Sequence, residues 1–198
     1  MAQQVISLTC PGCGEPVDTS QKTCKFCKSP IVVSTFNSVY SMPLPLVNKY
    51  AGTYRSVLSG APDDPEINAS IALCFLKLKM FDRAAEAFEK AVVSNFDNSE
   101  LFFYAAVSLL GGKKAFLAQR PVIDKVEEYI NAANMIEPKG IHYYLLAYIK
   151  YDYFFRKKFN TAPTYTEALA EASQAGLSEF DVQQLHEILG VARPPELM

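Results

Sequence analysis

Four of the five cysteines fall between residues 10 and 27, as Cys10-Pro11-Gly12-Cys13 and Cys24-Lys25-Phe26-Cys27, with ten residues between the pairs. In a reducing compartment disulfides are disfavoured, and paired Cys-x-x-Cys units read as a metal site. Two intervening residues let one tight turn aim both thiolates at a single point, and two such turns close a tetrahedron. A redox-active dithiol is the alternative for a lone Cys-x-x-Cys, but shared coordination accounts for both pairs at once. Gly14 follows the first pair, where such a turn often needs a positive backbone angle; Lys28 holds the equivalent place in the second, so that turn must tolerate a side chain. With Cys10, Cys13, Cys24 and Cys27 all used as ligands, no position stays open for water, and the site is structural rather than catalytic. So small a segment buries little core, so metal binding supplies most of its folding free energy.

The double knuckle resembles a short zinc ribbon. The resemblance covers residues 1–35, with strands expected near 5–8, 15–18 and 31–35. It implies one structural zinc per chain. Iron is the alternative metal, since rubredoxins also use two knuckles; the short interval here fits zinc better.

Residues 36–45 read as a linker: uncharged, and ending in Met42-Pro43-Leu44-Pro45, where two prolines enforce extended backbone. Beyond them, apolar residues recur at three- and four-residue steps, predicting helices over 46–59, 65–79, 82–94, 99–110, 123–136, 141–157, 164–175 and 178–189. The expected fold is mainly α, in stacked helical pairs over residues 46–190, with a C-terminal tail at 191–198. The run from Asp82 to Val92 resembles the second helix of a tetratricopeptide repeat, with Ala84, Phe88 and Ala91 at its small–aromatic–small interlock. Ile71, Ala72 and Phe75 match the first helix. A second unit carries Ala105, Ala106 and Leu109, then Val126, Ile130, Ala133 and Pro138 after an eight-residue insertion around Gly111-Gly112-Lys113-Lys114. A third carries Ala147, Tyr148 and Tyr151, then Ala168, Ala172 and Ala175, with Tyr148 departing from the small-residue rule. Tyr50, Tyr54, Val57 and Pro62 fall one period earlier, so residues 46–59 look like a lone second helix capping an α–α superhelix.

The resemblance implies a concave groove lined by the first helices. In that register it carries Ala69, Leu73 and Leu76, then Phe103, Val107 and Leu110, then Leu145, Ile149 and Tyr153. The trough is largely apolar and lacks the Lys and Asn with which some family members clamp carboxylates. An amphipathic helix or apolar extended segment of a protein partner fits it. The alternative occupants are the chain's own last helix, 178–189, or a second copy in a homodimer, because monomers rarely expose large apolar patches.

Other function classes find less support. The 19 basic and 21 acidic side chains leave a net charge of -2, which argues against a strongly basic nucleic-acid binder. The basic aromatic stretch 148–159 is the rival feature, since aromatics beside cations can take bases and phosphates; the ribbon tip, Lys25 and Phe26, is its second arm. Aromatics at helical spacing are otherwise core, and a basic last turn answers the helix dipole. His142 and His186 belong to no acid–base or metal spacing. Cys74, mid-helix between Leu73 and Phe75, reads as a buried structural thiol, and no glycine-rich phosphate loop occurs. No apolar run is long enough for a membrane helix, and the start lacks a secretory leader's apolar core. The sequence therefore predicts a cytoplasmic, non-enzymatic protein-interaction adaptor. A nucleic-acid-associated factor is the alternative.

Overall fold

A computed structural model describes residues 5–159 and 161–198; the first four residues of the expected ribbon lie outside the described residues. The chain is mainly α, with a small two-stranded sheet near its N-terminus. It divides into two compact units, 1–95 and 96–198.

The first unit opens with the antiparallel hairpin β1 (Ser7–Thr9) and β2 (Pro16–Asp18), in which Leu8 faces Val17. The third strand expected near 31–35 does not form. Thr23 and Pro30 make an isolated bridge instead, and Pro30 has no N–H with which to extend a ladder. The expected linker 36–45 is corrected too, because it contains a helix, α1 (Phe36–Tyr40), whose Phe36 and Val39 are fully buried. Helices α2 (Leu44–Leu58), α3 (Pro65–Lys77) and α4 (Phe81–Val92) follow. Asp64 caps α3 by accepting from the Ile67 amide at 2.8 Å, ahead of Pro65, which suits a first turn. Ala84, Ala87, Phe88 and Ala91 form the buried stripe of α4, spaced as an amphipathic helix requires. The short α3–α4 connection makes the pair an antiparallel hairpin.

The second unit holds α5 (Ser99–Leu109), α6 (Arg120–Ile136), α7 (Gly140–Ile149), α8 (Tyr165–Gln174) and α9 (Glu179–Leu189). Helix α5 pairs with α6 and α7 with α8. Asn98 caps α5, a Thr164–Glu167 capping box starts α8, Ser178 starts α9, and Gly190 ends it in the left-handed region. Gly140 answers a close approach: a Cβ there would lie 2.4 Å from the Leu177 amide nitrogen.

The helix expected over 141–157 changes form at Lys150, where Lys150–Phe155 winds as a π-helical segment. There Asp152 is buried and accepts from the Phe116 amide at 2.9 Å, while the Tyr148 hydroxyl accepts from the Ala115 amide at 3.2 Å. The side chain that departs from the small-residue rule thus pins the predicted insertion. The expected tail 191–198 is also packed: Leu197 is fully buried, and Arg193 pairs with Glu179 at 2.8 Å.

Candidate metal centre

The two cysteine turns are copies of one design. In the first, the Cys10 amide donates to Glu15 O at 2.7 Å and the Gly14 amide to Cys10 O at 2.9 Å. In the second, the Cys24 amide donates to Ser29 O at 2.9 Å and the Lys28 amide to Cys24 O at 3.0 Å. Each closes on a positive φ, 87° at Gly14 and 61° at Lys28. The second turn thus tolerates a side chain, with Lys28 in the left-handed region that favours glycine.

These turns bring Cys10, Cys13, Cys24 and Cys27 together, with all four Sγ atoms within 4.8 Å of one another. Cys10 and Cys27 lie 3.6 Å apart, and Cys13 and Cys24 3.8 Å. A tetrahedron of thiolates about 2.3 Å from a metal has edges of about 3.8 Å. A disulfide would need about 2.05 Å, and all four cysteines are free. The residues present therefore fit a metal ion. Hydrogen bonding from Ser29 draws the Cys27 thiol down to about 6, and the Cys27 backbone amide lowers Cys24. At Cys13 the Glu15 backbone pulls down, but desolvation and the crowding sulfurs push the thiol up to about 12. Amide and hydroxyl donors aimed at sulfur favour the thiolate that a metal binds, and a cation removes the repulsion that such crowding creates.

The centre is tied to the helices of its own unit. Tyr50 and Tyr54, both on α2, donate to Pro30 O and Ile31 O at 2.8 Å each. Lys49 donates to Gly12 O at 2.6 Å, and Ser70 on α3 to Val33 O at 2.9 Å. Lys77 lies 4.3 Å from the Tyr40 ring centroid. Ser70, Leu73 and Lys77 share one face of α3 by their spacing, so residues 33–40 cover the face that carries Leu73.

The predicted groove is not an open surface. Leu73, Leu76, Phe103, Val107, Leu110, Leu145, Ile149 and Tyr153 are all buried, and Ala69 is half-buried. Phe103 stacks on His142 at 5.1 Å between ring centroids. Leu145 and Ile149 follow His142 at three- and seven-residue steps, so they share its face. The physical reason for the correction is that α3, α5 and α7 are apolar nearly all round, which makes them interior helices. In the second unit α9 packs on α7, with Tyr144 and His186 hydrogen-bonded at 3.0 Å.

Cys74 is buried, which pushes its thiol up to about 12. His142 and His186 are buried, and desolvation lowers both, His142 to about 4. In the basic aromatic stretch, Tyr148, Tyr151, Tyr153 and Phe154 are core, Lys150 pairs with Glu127 at 2.6 Å, and Arg156 pairs with Asp152. Phe26, at the tip of the second knuckle, is 71% exposed. Within the first unit lies a channel of about 400 Å³ that the sequence did not reveal, lined by Arg55 and Leu58 of α2, Ile71 and Phe75 of α3, and Arg83, Glu86 and Lys90 of α4. Its charges come from two helices and converge only on folding.

No protein-family model matches the chain, and no curated protein matches it. One solved structure, MamA MSR-1 C2, aligns over 77% of this chain and 87% of its own, at 14% identity and a TM-score of 0.47. At that identity and score the likeness bears on neither partner nor activity. No helix among the described residues is long and apolar enough to cross a membrane.

Proposed function

We propose that the chain is a non-catalytic, cytoplasmic protein-interaction adaptor in which one structural zinc, held by Cys10, Cys13, Cys24 and Cys27, locks the ribbon onto a tetratricopeptide-like helical array. The observation that carries this reading is the convergence of the four sulfurs at tetrahedral spacing, in a segment whose backbone carbonyls are gripped by α2 and α3. Four thiolates saturate zinc and leave no position for substrate or water, so the metal acts on structure. It holds residues 30–40 in place, and with them the outer surface of the first unit.

The test has two arms. Metal analysis of the purified chain is expected to return one zinc per chain; a coloured iron protein, or a folded metal-free ribbon, contradicts the zinc assignment. Affinity capture from native cells, split and run with and without nuclease, is expected to recover the same proteins in both halves. Recovery that collapses with nuclease replaces the adaptor reading with the nucleic-acid one. No recovered protein removes the adaptor reading.

A further inference from the structure

The channel between α2 and α4 gathers three cations that make no ion pair among the described residues of the fold. Its floor is apolar, formed by Ile71, Phe75 and Ala87, and its walls are charged. Arg55 stands on the α2 wall, with its guanidinium 5.9 Å from the Phe75 ring centroid. Arg83 and Lys90 stand on the α4 wall, seven residues apart, or about 10 Å along the helix axis. Glu86 lies between them on the same wall. Arg55, Arg83 and Lys90 are exposed, and none has an ion-pair partner among the described residues. The cations therefore face the space above an apolar floor with no carboxylate at ion-pair distance, Arg55 and Lys90 answering only the dipoles of the last turns of α2 and α4.

We propose that this channel takes an acidic, amphipathic segment of a protein partner, with an apolar side chain over Phe75 and carboxylates against Arg55, Arg83 and Lys90. The inference rests on the adaptor reading above and supplies the chemistry of its partner. Charge complementarity selects an acidic ligand, and arginine favours carboxylate through its forked donors. The apolar floor of Ile71, Phe75 and Ala87 favours a segment with apolar side chains over a nucleic-acid backbone, and Glu86 opposes the unbroken run of phosphates that such a backbone would bring. Glu86 adds register, because it repels a carboxylate placed midway between the two cations of α4.

The experiment uses the full, metal-loaded chain and a labelled peptide of about fifteen residues, Glu and Leu in helical register, read by fluorescence anisotropy. The counterpart with Lys for every Glu and a single-stranded oligonucleotide are the controls. The acidic peptide is expected to bind at least about tenfold more tightly than the Lys peptide and to weaken with added salt. The double variant Arg83→Glu/Lys90→Glu should lose about tenfold for the acidic peptide and gain affinity for the Lys peptide, while Glu86→Gln should bind the acidic peptide at least as tightly as the parent. Equal binding of both peptides, or charge reversal without effect, overturns the proposal. So does tighter binding of the oligonucleotide through the same residues. Native-cell capture separates the levels: partners kept by the double variant sink the channel alone, whereas no partner on the parent chain sinks the adaptor reading with it.

Discussion

Residues 5–95 and 96–198 each build helical hairpins around a first helix that is apolar almost all round, α3 in one unit and α7 in the other, and each must hide the face of that helix left open by its neighbours. The second unit does so with a helix. Packed on α7, α9 is capped by Ser178 and Gly190 and anchored by the Tyr144–His186 hydrogen bond and the Arg193–Glu179 pair. The first unit covers α3 with residues 31–40, which hold one short helix and have only a hairpin of two three-residue strands ahead of them. That cover buries Ile31, Val33, Phe36 and Val39 completely or nearly so, yet its shape is set by the two cysteine turns. One cover is stabilised by its own secondary structure and the other, on the proposed function, by a metal, so the same architectural need carries two different sensitivities.

The largest expected effect is that of breaking the metal site. Cys24→Ser, or zinc removal by a chelator, should unfold the ribbon and release α1, leaving α3 uncovered. Read from the sequence alone, this change spares the helical array; the grip of Tyr50, Tyr54 and Ser70 on residues 30–33 makes the first unit respond as a whole. The loss should register as reduced helical circular dichroism. An unchanged signal contradicts the coupling.

Next come the covers themselves. Phe36→Ala empties a fully buried site and should cost about 3–5 kcal/mol in denaturant unfolding of the first unit. A cost well under 1 kcal/mol means that α1 is not part of the core. Ala106→Leu, at a fully buried small position on α5, should cost about 1–3 kcal/mol in the second unit; no effect undermines the repeat register.

Acid sharpens the comparison further. The only two histidines, His142 and His186, lie in the second unit, and burial lowers both. The unfolded chain binds these protons first, so the stability is present above the usual histidine value near 6.5 and falls as pH drops below it, for His142 down to about 4. The slope approaches about 1.4 kcal/mol per pH unit for His142. His142→Leu should flatten the slope of the second unit, which pH-dependent unfolding would reveal; an unaltered slope removes His142 from the account.

The smallest effect expected is that of Tyr54→Phe, which removes a buried donor to Ile31 O and should cost about 0.5–1.5 kcal/mol with zinc bound.

What the sequence made legible follows from range. The cysteine turns are local, so ligand spacing and the positive φ at Gly14 could be anticipated. Helix ends were legible to within about three residues, the end of α7 at Ile149 excepted, because apolar residues at three- and four-residue steps mark each buried stripe. The groove was not, because α3, α5 and α7 carry no polar stripe to mark the side that faces water. Leu73 or Val107 could be assigned outward or inward with equal justice. Helix α1 escaped notice because five residues give too short a window for periodicity. The channel of Arg55, Arg83 and Lys90 was hidden by sequence distance, and the π-helical turn at Lys150 by its dependence on Asp152 meeting Phe116.

On the proposed function a metal holds the cover of the first unit and plays no part in the second. Amide hydrogen exchange on the full chain, with zinc bound and after chelation, tests it most directly. Chelation is expected to abolish protection at the cysteine turns and α1, to lower it in α2 and α3, and to leave α6, α7 and α9 as they were. Protection that stays unchanged in α1, α2 and α3, or that falls equally in both units, contradicts it.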